Sequence, residues 1–114
     1  MFMIMFVLDN PDRLDQVLQS WLDHGISGAT IVESTGAYRQ LVKHIPMRYV
    51  YGENMTREVG NLTLFAIVED EIKIQDCLAA TEKVVGNLDN PNTGVFSAWP
   101  LALVKGLNNL IEEE

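Results

Sequence analysis

The chain has a single cysteine, Cys77, in 114 residues. One thiol excludes an intrachain disulfide and a cysteine-based metal cluster, and its isolation fits a reducing compartment, so a cytoplasmic location is expected. Positive charge is scarce as well. Eight Lys and Arg stand against sixteen Asp and Glu, a formal net charge of −8, which leaves the body of the molecule without an electrostatic footprint for a phosphate backbone and excludes nucleic acid as a partner class. Membrane-length apolar runs are missing too. The run Met1 to Leu8 is too short to span a bilayer, has no basic stretch before it and no small-residue cleavage site after it, and stops at Asp9, Asn10 and Pro11. It reads as a strand, and direct membrane insertion is not expected. Paired carboxylates at a convincing site, a Ser-His-Asp or Cys-His signature and a cofactor fingerprint are all lacking, so no enzymatic activity is assigned.

What is present is an ordinary globular composition, 47% hydrophobic and 21% charged, which predicts one domain over residues 1–114. Met1 to Leu8 is apolar without alternation, as expected for a strand in the middle of a sheet or against a neighbouring subunit, buried on both faces. A helix follows. Asn10 or Asp9 caps it, Pro11 suits its first turn, and Leu14, Val17, Leu18, Trp21 and Leu22 recur at helical spacing before Gly25 ends it. At that spacing Trp21 reads as a packed core aromatic. Strand two spans Ala29 to Thr35 and strand three runs from Asn61 to Val68. A second helix turns Ile74, Cys77, Leu78, Thr81, Val84 and Val85 inward and ends at Gly86, which makes Cys77 a small buried apolar residue. The turn-forming run Asn87 to Gly94 precedes a last strand, Val95 to Trp99, and Leu101 to Leu107 is expected to add a tight turn and a short edge strand. This order predicts an α+β domain: the ferredoxin-like double βαβ arrangement, with an antiparallel four-stranded sheet, two helices on one face and a long loop between strands 2 and 3. Strand three is apolar on both sides, so two helices cannot bury everything, and a closed symmetric oligomer is expected to cover the open face.

The long loop carries an unusual share of the positive charge. Between Ala37 and Val59 four basic residues, Arg39, Lys43, Arg48 and Arg57, face two acidic ones, Glu53 and Glu58, for a net +2, while four against fourteen leaves −10 on the remainder. Tyr38, Tyr49, Tyr51, Met47 and Met55 are interleaved with those cations, a mixture suited to docking on a protein. A merely solvated loop is the alternative.

The element order, the run Gly25, Ile26, Ser27, Gly28, Ala29, Thr30, Ile31, Val32, Glu33, and then Gly36, Ala37, Tyr38, Arg39, Gln40 resemble the P-II nitrogen regulatory superfamily, whose members read roughly G-I-T-G-M-T-V-x-E-V-x-G-x-G-R-Q here. The likeness spans most of the chain; from Gly25 to Gln40 it is specific, and in the C-terminal half it is mainly one of pattern. The resemblance implies a homotrimeric signalling protein with clefts between subunits, each able to hold a small effector such as an adenine nucleotide. It makes residues 37–59 the T-loop, through which such proteins touch their targets, here a transporter or a metabolic enzyme. Carried over position by position, Arg39 falls where the family uses an arginine near the phosphates, and Gln40 falls where it uses a glutamine near bound magnesium. A guanidinium fork suits phosphate or carboxylate oxygens. The candidate ligand-binding residues are Gly36, Ala37, Tyr38, Arg39, Gln40, Asn92, Thr93, Gly94 and Lys105, and the candidate docking residues are Lys43, Arg48, Tyr49, Tyr51 and Arg57. Some relatives are nucleotidylated on a T-loop tyrosine, and Tyr49 and Tyr51 both lie near that place.

The departures bear on the effector. Tyr38 stands where the family has a glycine, and the family's second phosphate loop, T-G-x-x-G-D-G-K, is Asn87 to Gly94 here, without the lysine and most of the glycines. Bare backbone N–H groups and a compact ammonium are what such loops offer phosphate, whereas Asp89 repels it. The alternatives to a nucleoside triphosphate are an AMP-like ligand, a cyclic nucleotide, a carboxylate, bicarbonate, or no ligand. Two other functional classes compete: a CutA-like trimeric ion-linked protein, which would need a metal-ligand cluster that the sequence does not display, and a small enzyme.

Overall fold

The computed structural model describes residues 1–34 and 61–107. Within them the chain is α+β: β1 (Phe2–Leu8), a single 3-10 turn (Pro11–Arg13), α1 (Leu14–Asp23), β2 (Ala29–Ser34), β3 (Asn61–Val68), α2 (Glu71–Val85) and β4 (Gly94–Pro100). The four strands form one sheet in the order β2-β3-β1-β4 with every pairing antiparallel, compatible with the ferredoxin-like arrangement. β1 is central, as its unbroken apolar run requires.

Register decides which side chains meet. Ile4 lies between Ala66 and Ala98, and Phe6 between Leu64 and Phe96, so even-numbered residues of β1 and β3 share one face. That face is the core. Ile4, Phe6, Leu8, Leu64, Ala66 and Val68 are buried there together with Val17, Trp21, Ile26, Cys77 and Ala80, each large side chain contributing about 1.5–3 kcal/mol relative to exposure. Phe6 and Phe96 meet with ring centroids 6.3 Å apart, tilted by 46°. The odd-numbered face differs. Met3, Met5 and Val7 are only half-buried rather than enclosed, because both helices pack on the even face.

Local chemistry starts and stops the helices. Asn10 accepts the Asp12 amide at 3.0 Å, and Asp70 caps α2 by accepting the Lys73 amide at 2.9 Å. Polar contacts then tie α1 to α2: Ser20 Oγ donates to the Ala80 carbonyl at 2.8 Å and Arg13 Nη1 to the Val84 carbonyl at 2.6 Å. Ser20 takes the inward position expected of Leu22, which is 55% exposed. Close approach of the two helices needs the small residues Ser20 and Ala80, and that rotation turns Leu22 outward. A second expectation is also corrected, since residues 101–107 form no strand. The Leu101 amide donates to the Met1 carbonyl at 3.0 Å and the ladder ends there, just beyond Pro100, which has no N–H to continue it.

Candidate functional site

The described part of the family-like run, Gly25 to Gly28, turns from α1 into β2. Gly25 closes the helix with φ +87°, a conformation that favours glycine, and its amide donates to the Leu22 carbonyl at 3.0 Å. Ile26 then drops into the core, its amide held by the Trp21 carbonyl at 2.9 Å. Ser27 and Gly28 stay exposed. Together with Met1 and Met3, the end of β3 from Phe65 to Glu69, and Lys73 of α2, this turn lines an open groove of about 540 Å³. Its walls are apolar at Met1, Met3, Phe65 and Ile67, and its polar side chains include Ser27, Glu69 and Lys73. The Lys73 ammonium reaches the His24 carbonyl at 3.5 Å. A Cβ on Gly25 would stand 2.6 Å from that ammonium.

The residues singled out from the sequence divide by position. Gly36, Ala37, Tyr38, Arg39 and Gln40, with Lys43, Arg48, Tyr49, Tyr51 and Arg57, lie outside the described residues. Their point of departure is described: Ser34, at the end of β2, pairs with Asn61, and its hydroxyl meets Thr63 Oγ1 at 2.9 Å. Gly94 pairs with Leu8, which also pairs with Leu62, so Asn92 to Gly94 and the exit toward Gly36 share one end of the sheet. They sit on opposite edges of it, three interstrand spacings or roughly 14 Å apart. The Gly25 groove lies at the other end of the sheet, roughly 20 Å along the strands. Lys105 belongs with the groove, because β4 ends beside Phe2 and Leu107 lines the groove itself. One chain therefore does not unite the candidate ligand residues.

The loop that replaces the phosphate-binding glycines satisfies itself. Asn87 Oδ1 accepts the Asp89 amide at 2.9 Å, Glu82 accepts the Leu88 amide at 3.0 Å, and Thr93 Oγ1 donates to the Asn90 carbonyl at 2.9 Å. Asn92 has a positive φ of 65°, a conformation asparagine tolerates. Gly94 is held by packing. At φ +137° it presses against β1, where a Cβ would collide with the Val7 carbonyl and lie 2.8 Å from Phe6 Cε1.

Trp21 and Cys77 hold no ligand. Trp21 is fully buried and donates its indole N–H to Thr81 Oγ1 at 2.8 Å. Burial pushes the Cys77 thiol up to about 12, against a smaller opposing hydrogen bond from Thr81, which removes the thiolate that reactivity needs. Sequence reasoning missed Lys73. The available signal was local: a cation in the first turn of a helix opposes the macrodipole, and such a break with local preference often marks function.

Among the described residues no helix is long and apolar enough to cross a membrane, and no group of three His, Cys, Asp or Glu side chains could hold a metal ion. In comparisons with known proteins, no protein-family model matches the chain and no curated protein is significantly similar to it.

Proposed function

We propose that the chain is a P-II-like regulatory protein: a homotrimer of ferredoxin-like subunits that binds a small anionic effector between subunits and acts on a target protein through residues 37–59. The observation that carries this reading is the helix-free face of the sheet. Met3, Met5, Val7, Phe65 and Ile67 are half-buried on it, with Val32, Val95 and Trp99 exposed around them. An apolar surface of that kind on a four-stranded sheet is what a closed symmetric assembly would cover.

Two further points support the reading. The element order and the run Gly25 to Gln40 follow the P-II pattern, and the segment 35–60 leaves the sheet between β2 and β3, where the T-loop belongs. The split of the candidate ligand residues between the two sheet ends is also what a cleft completed by a neighbouring subunit would need to bridge. An adenine nucleotide is the effector the resemblance suggests, without the triphosphate cradle. The target would be a transporter or a metabolic enzyme of the cytoplasm.

Light scattering on the full chain tests the assembly, with three chains per particle expected and a monomer overturning it. A thermal-shift screen of adenine nucleotides, bicarbonate, carboxylates and divalent ions tests the effector, since a ligand that binds only the folded state raises its apparent stability. If an effector found in this way leaves proteolysis between Ala37 and Val59 unchanged, the coupling of ligand to loop is wrong.

A further inference from the structure

The groove beside Gly25 to Gly28 is built around one cation that the family resemblance does not account for. We propose that it takes a small organic acid, a single carboxylate on an apolar or aromatic body, and that Lys73 is the residue that holds the charge; this rests on reading the chain as an effector-binding protein.

The geometry carries the lysine. Lys73 is half-buried at the groove, and its ammonium lies directly over Gly25, where any side chain would stand 2.6 Å away. The bare backbone at Gly25 is what lets the ammonium reach this position. Its bond to the His24 carbonyl is 3.5 Å long, beyond the usual 2.7–3.2 Å range, and an ammonium has three N–H donors to offer. Lys73 is also the third residue of α2, where its charge opposes the helix dipole. An anion against the ammonium would relieve that conflict.

The surroundings select the ligand. Glu69 lines the same groove, so the two ionic side chains balance, and a second negative charge on a ligand would meet a carboxylate without a second cation. A carboxylate fits better than a doubly charged phosphate monoester. Met1, Met3, Phe65 and Ile67 supply apolar walls for its body, and about 540 Å³ lies within the usual range for small-molecule sites.

The test uses three probes of one shape on the full chain: phenylacetate, neutral phenylacetamide and doubly charged phenyl phosphate, titrated by calorimetry and by amide NMR. Phenylacetate should bind about tenfold more tightly than phenylacetamide, as expected for one charge-assisted contact, and more tightly than phenyl phosphate. Its chemical-shift changes should centre on Ser27, Gly28 and Lys73. Lys73→Gln should remove the preference over phenylacetamide and Lys73→Arg should retain it. Equal affinities for phenylacetate and phenylacetamide, tighter binding of phenyl phosphate, shifts centred elsewhere, or no binding of phenylacetate would each overturn the proposal, and the wild-type titrations decide it even if a variant fails to fold. A trimer whose phenylacetate affinity is unchanged by Lys73→Gln overturns this assignment alone. A monomer that binds phenylacetate through Lys73 supports it while removing the regulatory-trimer reading.

Discussion

Trp21 and Thr81, sixty residues apart in sequence, meet in the core with the indole N–H donating to the threonine hydroxyl at 2.8 Å. The hydroxyl in turn donates to the Cys77 carbonyl at 2.7 Å, so one buried oxygen joins α1 to α2 and satisfies the indole. Thr81→Val keeps the shape and removes the acceptor. A buried donor left unpaired costs about 1–3 kcal/mol, and urea unfolding should show a loss of that size. Trp21→Phe removes the donor, so the double variant should lose less than the sum of the two single losses; strict additivity would mean that the bond contributes nothing.

Gly94→Ala should destabilise the fold by about 2–4 kcal/mol, combining overpacking with strain at a positive φ. The new methyl group would meet the Val7 carbonyl and the Phe6 ring, neither of which can move without disturbing the central strand. The expected readout is a lower melting temperature. An unchanged melting temperature with weakened effector binding would instead return Gly94 to a ligand role.

These two positions indicate what the sequence could reveal. The elements were legible because period and face are local properties: apolar residues at helical spacing place Val17, Trp21 and Cys77 inside, and the unbroken run in β1 marks a central strand. Where a neighbour decides the outcome, the sequence is silent. Leu22 has the spacing of a core residue, yet the close contact of Ser20 with Ala80 turns it outward. Leu101 to Leu107 is apolar enough for a strand, but it extends no ladder beyond the single bond from Leu101 to Met1. Gly94 was legible as a loop glycine and not as a contact with Phe6. The environment of Lys73 comes from His24 and Gly25, across a separation of 49 residues to His24, and only its place in the first turn of α2 hinted at it.

Cys77 should resist thiol reagents in the native protein at pH 8 and react only as fast as the protein opens. Its thiol ionises near 9.0 when unfolded and near 12 when folded. The raised value therefore contributes stability that is fully present below pH 9 and is lost as pH rises toward 12, because unfolding releases a proton in that window. Cys77→Ala should flatten that part of the stability profile. Rapid labelling of the native protein would contradict the burial argument.

Met5 is the residue to change if the open sheet face holds subunits together. It sits mid-strand in the central β1, between Phe65 and Ser97, and its side chain points away from both helices. Met5→Glu leaves the core untouched but places a carboxylate in the middle of the apolar face, where burial against a neighbour would strand an unpaired charge at a cost of several kcal/mol. Light scattering should then show single chains with unaltered far-UV circular dichroism, whereas the parent chain runs as a trimer. Ser97→Glu, on the same face one strand away, should act in the same direction. Assemblies unaffected by either change would move the interface off this face, and would leave the apolar surface around Met5 and Trp99 for a different partner.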